Sequence, residues 1–332
     1  MREREKVGIP APVERRAVTR LVAGSLFLSL VFAGFFSTDA SAQQQRPIEA
    51  VILRPAPNPA FDEIFDSIEV GVRSRESRLS ITERRLNTVA SPDALRSAIS
   101  SDAPQVVVTL GRQADESYRN SGLEIRQVVG GLDIEPGLGI RDGVSLTADP
   151  VFLLSRLQTL MPEKRRIIVV YDPSKDRWLI ERAKAISASI GVTIVAHEAT
   201  TLSEASNQYW NILKYGNPET DVLWLLSNPS FVSNSNLPRL VEESWRRNFA
   251  IVSNNIDHAR RGALIAIYPD LEAMGAQLAD QAIAISENPN KRPEVEPLGA
   301  VKFAVNKRIA NHLNVSISAQ DERSFDLILG ER

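Results

Sequence analysis

The residues of this chain best suited to binding chemistry stand directly after short apolar runs. Arg54 follows Ile48–Leu53, and Arg112 follows Val106–Leu110 across Gly111. Tyr171 closes the run from Ile167, with Asp172 and Ser174 just beyond it. Asn228, Ser230 and Phe231 follow Val222–Leu226, and Asn254 with Asn255 follows Phe249–Val252. Two guanidinium groups near one crevice would favour an anionic group on a ligand. A helix starting near Ser174 would present free backbone N–H groups, which also suit a carboxylate. Tyr171 and Phe231 could stack on or enclose an apolar part. Each has a plainer reading beside it: Arg54 and Arg112 could pair locally or reach solvent, and Asp172 and Asn228 could simply cap turns.

Other chemistries lack their residues. There is no cysteine, which removes disulfides, thiolate metal sites and cysteine nucleophiles. His197, His258 and His312 are isolated, none with a second histidine at helical spacing for zinc. Neither a Gly-x-Ser-x-Gly elbow nor a phosphate-binding Gly-x-x-x-x-Gly-Lys-Ser/Thr loop is present. The glycines between Gly130 and Gly143 therefore read as an irregular loop or hinge. Carboxylate pairs such as Asp62-Glu63 and Glu242-Glu243 fall on amphipathic helices and read as solvated faces. No catalytic residue, cofactor or metal is expected.

The elements that must position these residues alternate. Ile167 to Tyr171 is a continuous apolar run rich in β-branched residues, as in a strand buried on both faces of a parallel sheet. Asp172-Pro173-Ser174 breaks it, with Ser174 as the expected helix cap. Ala183, Ile186 and Ile190 then recur at helical spacing up to Gly191, and Val192 opens the next strand. The same unit repeats before and after the glycine-rich loop, ending in a linker at 293–297, a last strand at 301–305 and a helix at 306–313. Trp178, Trp210 and Trp245 read as helix packing residues and Trp224 as strand core. Such alternation makes an α/β protein of parallel sheets with helices on both faces, here in two similar lobes around a cleft. Open sheets of this kind bind ligands at their carboxyl edges, where the polar residues above stand.

The chain has 332 residues, 43% of them apolar, and a net charge of −2. That length suits two domains, and no basic field points to nucleic acid. Arg15, Arg16 and Arg20, the apolar run Leu21–Phe36 and Ala40-Ser41-Ala42 together have the form of a signal peptide, residues 1–42, cleaved after Ala42.

In order along the chain stand Gly143-Val144-Ser145-Leu146, Leu160-Met161-Pro162, Arg166 to Pro173 and Ile190-Gly191-Val192. They are followed by Asp221 to Leu226, Gly262-Ala263-Leu264, Tyr268-Pro269-Asp270 with Gly275, and Val305-Asn306 with Ala310 and Leu313. In this order and spacing the chain resembles the ABC transporter substrate-binding family related to tryptophan- and tyrosine-binding proteins, over roughly residues 48–316. The resemblance implies a type I periplasmic binding protein architecture: two Rossmann-like lobes joined by a three-segment hinge near Gly143, Ala259–Gly262 and Leu298–Ala300. Residues 43–144 and 259–297 would form lobe one, residues 145–258 and 298–318 lobe two, and residues 319–332 a loosely held tail. It further implies an ABC permease partner in the inner membrane; with the leader, the near-neutral charge, the missing catalytic constellation and the arginines, the expectation is a periplasmic monomer that catalyses nothing, binds no nucleic acid and captures a small anionic or amino-acid-like ligand. A periplasmic sensor or adaptor serving a membrane receptor, without transport, is the alternative. An exported hydrolase is opposed by the missing nucleophile and base, and a cytoplasmic regulator by the leader. The chain departs from the amino-acid-binding members at three ligand-facing places: Asp176-Arg177-Trp178, Arg141-Asp142-Gly143 and Gly130-Gly131-Leu132.

Overall fold

The computed structural model describes residues 46–59, 61–86, 91–136 and 141–330. The expected leader lies outside the described residues. The first half of the described chain runs β1 (Ile48–Arg54), α1 (Asp62–Arg73), β2 (Leu79–Arg85), α2 (Pro92–Ser101), β3 (Val106–Leu110), α3 (Gly111–Asn120), β4 (Arg126–Leu132) and β5 (Asp142–Ala148). The second runs α4 (Pro150–Leu160), β6 (Arg166–Tyr171), α5 (Arg177–Ile190), β7 (Thr193–Glu198), α6 (Leu202–Tyr215), β8 (Asp221–Leu225), α7 (Leu237–Arg246), β9 (Ala250–Ser253), α8 (Ile256–Arg261) and β10 (Ile265–Pro269). After these come α9 (Leu271–Glu287), β11 (Val295–Leu298), β12 (Val301–Asn306), α10 (Lys307–His312), α11 (Ala319–Glu322) and β13 (Leu327–Leu329).

These strands make two sheets. The first has the order β2-β1-β3-β4-β5-β11, all parallel. The second has the order β7-β6-β8-β9-β10-β12-β13, parallel except where β12 runs against β10. Each half repeats one winding: second strand, first, third, fourth, fifth. The apolar runs sort by the two-residue period of a strand. Ile167, Val169 and Tyr171 join one core cluster, while Ile168 and Val170 join the cluster on the opposite face. Ala50 and Ile52 are divided from Val51 and Leu53 in the same way in the first sheet. Helix starts follow the expected cap chemistry. Ser91 accepts from Ala94 N–H ahead of α2 with Pro92 in its first turn, and Gly191 ends α5 at φ 84°, in the left-handed region.

The helix after each fifth strand changes sides. Leu153, Leu154 and Leu157 of α4, which follows β5, pack in the core of the second sheet. Met274, Leu278 and Ala282 of α9, which follows β10, pack in the core of the first. There α9 meets α1 with backbones in contact. A Cβ on Gly71 would stand 1.9 Å from the Glu272 carbonyl oxygen, and one on Gly275 would stand 1.9 Å from that of Ile68. Three connections therefore link the sheets, at 148–150, 269–271 and 298–301. They are bonded to one another: Asp149 N–H donates to Leu298 O at 3.5 Å and Asp270 N–H to Ala300 O at 3.3 Å.

Several boundaries differ from the expected ones. Residues 145–148 complete β5 in the first sheet, and 265–269 form β10 in the second, the reverse of the expected lobe assignment. The reason is that each half needs its own fifth strand, so the crossing comes at that strand's far end. The expected linker at 293–297 contributes β11, paired in parallel with β5. The expected loose tail is also held. β13 adds to β12, Phe325 is buried, and the Arg156 guanidinium lies over the rings of Phe303 at 4.4 Å and Phe325 at 5.1 Å.

Candidate functional site

A cavity of about 620 Å³ lies between the carboxyl ends of the two sheets. Arg112, Glu135 and Thr147 line it from the first-sheet side, and Ser174, Asn228 and Asn254 from the second. The size suits a small molecule.

The second-sheet wall is built from turns that bond to themselves. After β6, Asp172 Oδ1 accepts from both Ser174 N–H at 2.9 Å and Ser174 Oγ–H at 2.6 Å. Burial works to raise the Asp172 pKa, but these bonds and Lys175 at 3.5 Å outweigh it and hold the carboxyl below its usual range. Asp176 Oδ2 accepts from Asp172 N–H at 3.1 Å and from Asn228 Nδ2 at 3.4 Å. Here burial prevails and pushes the Asp176 carboxyl up. After β8, Asn228 Oδ1 accepts from Ser230 N–H at 3.0 Å, and Asn254 Oδ1 reaches across from the end of β9 to accept from Ser227 N–H at 3.0 Å.

Ser253 ties this wall together from behind. Its buried hydroxyl lies 2.9 Å from Leu225 O and 2.8 Å from His258 Nδ1, and it accepts from Asn255 N–H at 3.0 Å. A hydroxyl has one proton. If that proton goes to Leu225 O, both lone pairs accept, which places the imidazole proton on Nδ1 of His258. Burial lowers the His258 pKa to about 4, so the ring is neutral at pH 7. The ends of β8 and β9 and the start of α8 are thus fastened at one atom.

The first-sheet wall is more open. Arg112 stands in the first turn of α3, and among the described residues nothing pairs with its guanidinium. The Glu135 carboxylate is equally without a partner there. Asp133 Oδ1 accepts from the Thr147 hydroxyl at 2.6 Å.

Of the residues singled out in the sequence, Arg112, Ser174, Asn228, Ser230 and Asn254 line the cavity. Asp172 lies behind the wall and shapes it. Three others are corrected. Arg54 is 2% exposed, and its guanidinium pairs with Asp66 at 2.7 Å, Glu69 at 2.9 Å and Glu83 at 3.5 Å. The acids of α1 and β2 capture it before it can reach the cleft. Tyr171 sits in the core, because the strand alternation turns its ring inward, and its hydroxyl donates to Glu198 at 2.7 Å. Phe231 is 2% exposed, folded back by the turn that begins at Asn228. The helix start also moves: α5 begins at Arg177, and Ser174 is bonded to Asp172 instead of capping it. Lining residues outside the candidate set include Tyr268 and Trp178, the latter in a ligand-facing turn but read from the sequence as helix packing. Tyr268 carried the same signal as the others, a polar group closing an apolar run. Trp178 stands in the first turn after the β6 loop, where a cleft-facing reading was available.

The two repeated sheets, the three linked crossings and the cavity between carboxyl edges define a two-lobed α/β protein of type I periplasmic binding protein architecture. Solved structures agree. The chain is 16% identical to a ligand-free, open substrate-binding protein with adhesive properties from Clostridium difficile, at TM-score 0.60 over 85% of this chain and 99% of that one. It is 15% identical to an ABC domain in complex with L-Trp from Streptococcus pneumonia, at TM-score 0.54 over 85% and 100%. A conserved domain protein from Vibrio cholerae gives 17% identity and TM-score 0.52, again over 85% and 100%. At these identities the likeness concerns the fold. A model of the ABC transporter substrate binding protein family matches residues 143–322, more than half of the chain, and the chain belongs to that family. No curated protein sequence matches it. Among the described residues, no helix is long and apolar enough to cross a membrane, and no three acids or histidines are grouped to hold a metal ion.

Proposed function

We propose that this chain is the exported solute-binding component of an ABC transporter. It captures a small polar ligand between its lobes without altering it and presents the closed form to an inner-membrane permease. The observation that carries this reading is the cavity bounded by strand ends of both sheets, beside the three connections that link them, where a hinge between the lobes would lie. A ligand that touches both walls binds the closed state better than the open one, and this difference drives closure. Arg112, Ser174, Asn228, Ser230 and Asn254 are the proposed contacts, and the open guanidinium of Arg112 suits a carboxylate on the ligand. Export rests on residues 1–42.

Native mass spectrometry of protein recovered from the periplasm tests this. The expected result is a chain beginning at Gln43 with a retained small molecule, released chemically unchanged. Membrane-bound protein that retains residues 21–36 would overturn export, and turnover of the released molecule to a new product would overturn the binding role.

A further inference from the structure

We propose that the ligand of this cleft is a small organic cation, bearing an ammonium or guanidinium group and a net positive charge, faced by Asp176 of one wall and Glu135 of the other. The proposal rests on the reading of the cavity as the ligand site and specifies its chemistry. The cavity itself is fixed by the two sheets, and its lining acids decide only the charge it accepts.

The charges on the wall do not balance. Asp133, Glu135 and Asp176 line the cavity against Arg112 and Lys175. Lys175 is already opposed by Asp172 at 3.5 Å, which leaves Arg112 as the open cation among the described lining residues. Asp176 feels Lys175 at a distance, but that lysine is shared with Asp172, and among the described residues no ion pair reaches Asp133, Glu135 or Asp176. The bonds to Asp176 come from a backbone N–H and an amide, and the bond to Asp133 comes from a hydroxyl. These donors are neutral and leave each charge in place. Burial raises the Asp176 pKa, so the protein alone gives this carboxyl an unfavourable setting that a cationic ligand would relieve.

The remaining lining fits the same class. Trp178 and Tyr268 bring aromatic rings to the cavity, and an ammonium or guanidinium is attracted to such faces. The volume, about 620 Å³, is that of a small-molecule site. A cation carrying hydrogen-bond donors answers both Asp176 and Glu135 at once. An amino acid with a cationic side chain meets each requirement, its carboxylate on Arg112 and its positive groups toward Asp176 and Glu135. A neutral zwitterion leaves an acid uncompensated.

Calorimetric titration of the mature protein with L-arginine, agmatine and putrescine, beside L-glutamate and L-tryptophan, tests the assignment. Native mass spectrometry of the molecule retained on purification accompanies it. A cationic probe should bind most tightly. Asp176→Asn should weaken it about tenfold or more, and Glu135→Gln several-fold, as expected for loss of charge-assisted bonds. Asn keeps the acceptor oxygen used by Asp172 and Asn228, and Glu135 is exposed, so both variants should retain the wild-type apo melting temperature. Tighter binding of L-glutamate or L-tryptophan than of every cation, or a retained molecule without a cationic nitrogen, overturns the charge assignment and leaves the cleft reading standing. Cation binding that survives both substitutions overturns the assignment equally. No retained molecule and no binding by any probe would overturn the cleft reading itself.

Discussion

On the second-sheet side of the cleft, Asp172, Asp176, Asn228 and Asn254 are each held by a neighbour, whereas on the first-sheet side Arg112 and Glu135 have no partner among the described residues. The first pattern is preorganised. Its loops are fixed by bonds that exist without ligand, so little ordering remains to be done on binding. The second leaves two exposed charges without a partner among the described residues. On the proposed reading, ligand contact with both walls would distinguish a closed state from an open one.

The contrast also divides the two arginines of the first lobe. Arg54 lies under the rim in a cluster of acids, while Arg112 lies on it. Arg54→Ala leaves Glu69 with Arg73 as its remaining partner, the Glu69 side chain being 9% exposed. Removing one member of a buried pair costs about 3–5 kcal/mol. Arg73 offsets part of that, so a loss near 3 kcal/mol, on the order of the lower bound, is expected in urea unfolding. Ligand affinity should be unchanged. A loss of affinity at unchanged stability would place Arg54 in the site and break the division.

On the preorganised wall the sharpest test is pH. Burial, together with nearby Arg261 and against the pull of Asp257, lowers His258 to about 4 from its ordinary 6.5. The unfolded chain therefore takes up a proton between those values while the folded chain does not. Stability contributed by neutral His258 is full above the unfolded value and is lost as pH falls toward about 4. The size is about 2–3 kcal/mol across that window. In His258→Asn, which keeps an N–H donor for Ser253, urea unfolding at pH 7 and pH 4.5 should show a correspondingly smaller difference. An equal difference in both proteins would mean that His258 is not buried neutral and that the β8 and β9 ends are not fastened through it.

Arg112→Ala should give the reverse of Arg54→Ala. One charge-assisted bond contributes about 1.5–3 kcal/mol when buried by the closing lobes, and about 1.4 kcal/mol is one decade of affinity. Titration with the retained ligand should therefore show weakening of about tenfold or more. Apo stability should stay at the wild-type value, since no ion pair is broken. Unchanged affinity would mean that the open wall contributes no charge to the ligand.

The alternation of parallel strands and helices was legible because continuous apolar runs closed by proline, glycine or polar turns encode buried parallel strands directly, while the order of the strands came only from the structure. Local rules failed where the deciding contact is distant. Nothing near Arg54 in sequence announces that Glu69 and Glu83 will enclose it, and β11 and β13 read as linker and tail because each is a strand only beside β5 or β12. The crossing before α9 was misplaced for the same reason, since β10 belongs to the second sheet only through its pairing with β9 and β12. Strand-end position led to Arg112, Asn228 and Asn254, which line the cavity. The direction of a side chain at a strand end depends on register, and Tyr171 turned inward, while the turn after β8 folded Phe231 back.

Tyr171 supplies the smallest test and the one closest to the boundary between core and cleft. Its ring fills space among the core residues of β6 and its neighbours, and its hydroxyl reaches only Glu198, which is itself more than half exposed. Tyr171→Phe keeps the ring and removes that single bond. A hydrogen bond of this kind contributes about 0.5–1.5 kcal/mol net. The solvent already available to Glu198 places the expected loss near the lower end, about 0.5 kcal/mol. Urea midpoints of the two proteins should differ by that little, and titration with the retained ligand should give the same affinity for both. A tenfold loss of affinity would mean that the hydroxyl turns toward the ligand when the lobes close. In that case the second wall would rearrange on binding, and its preorganisation would not extend to the end of β6.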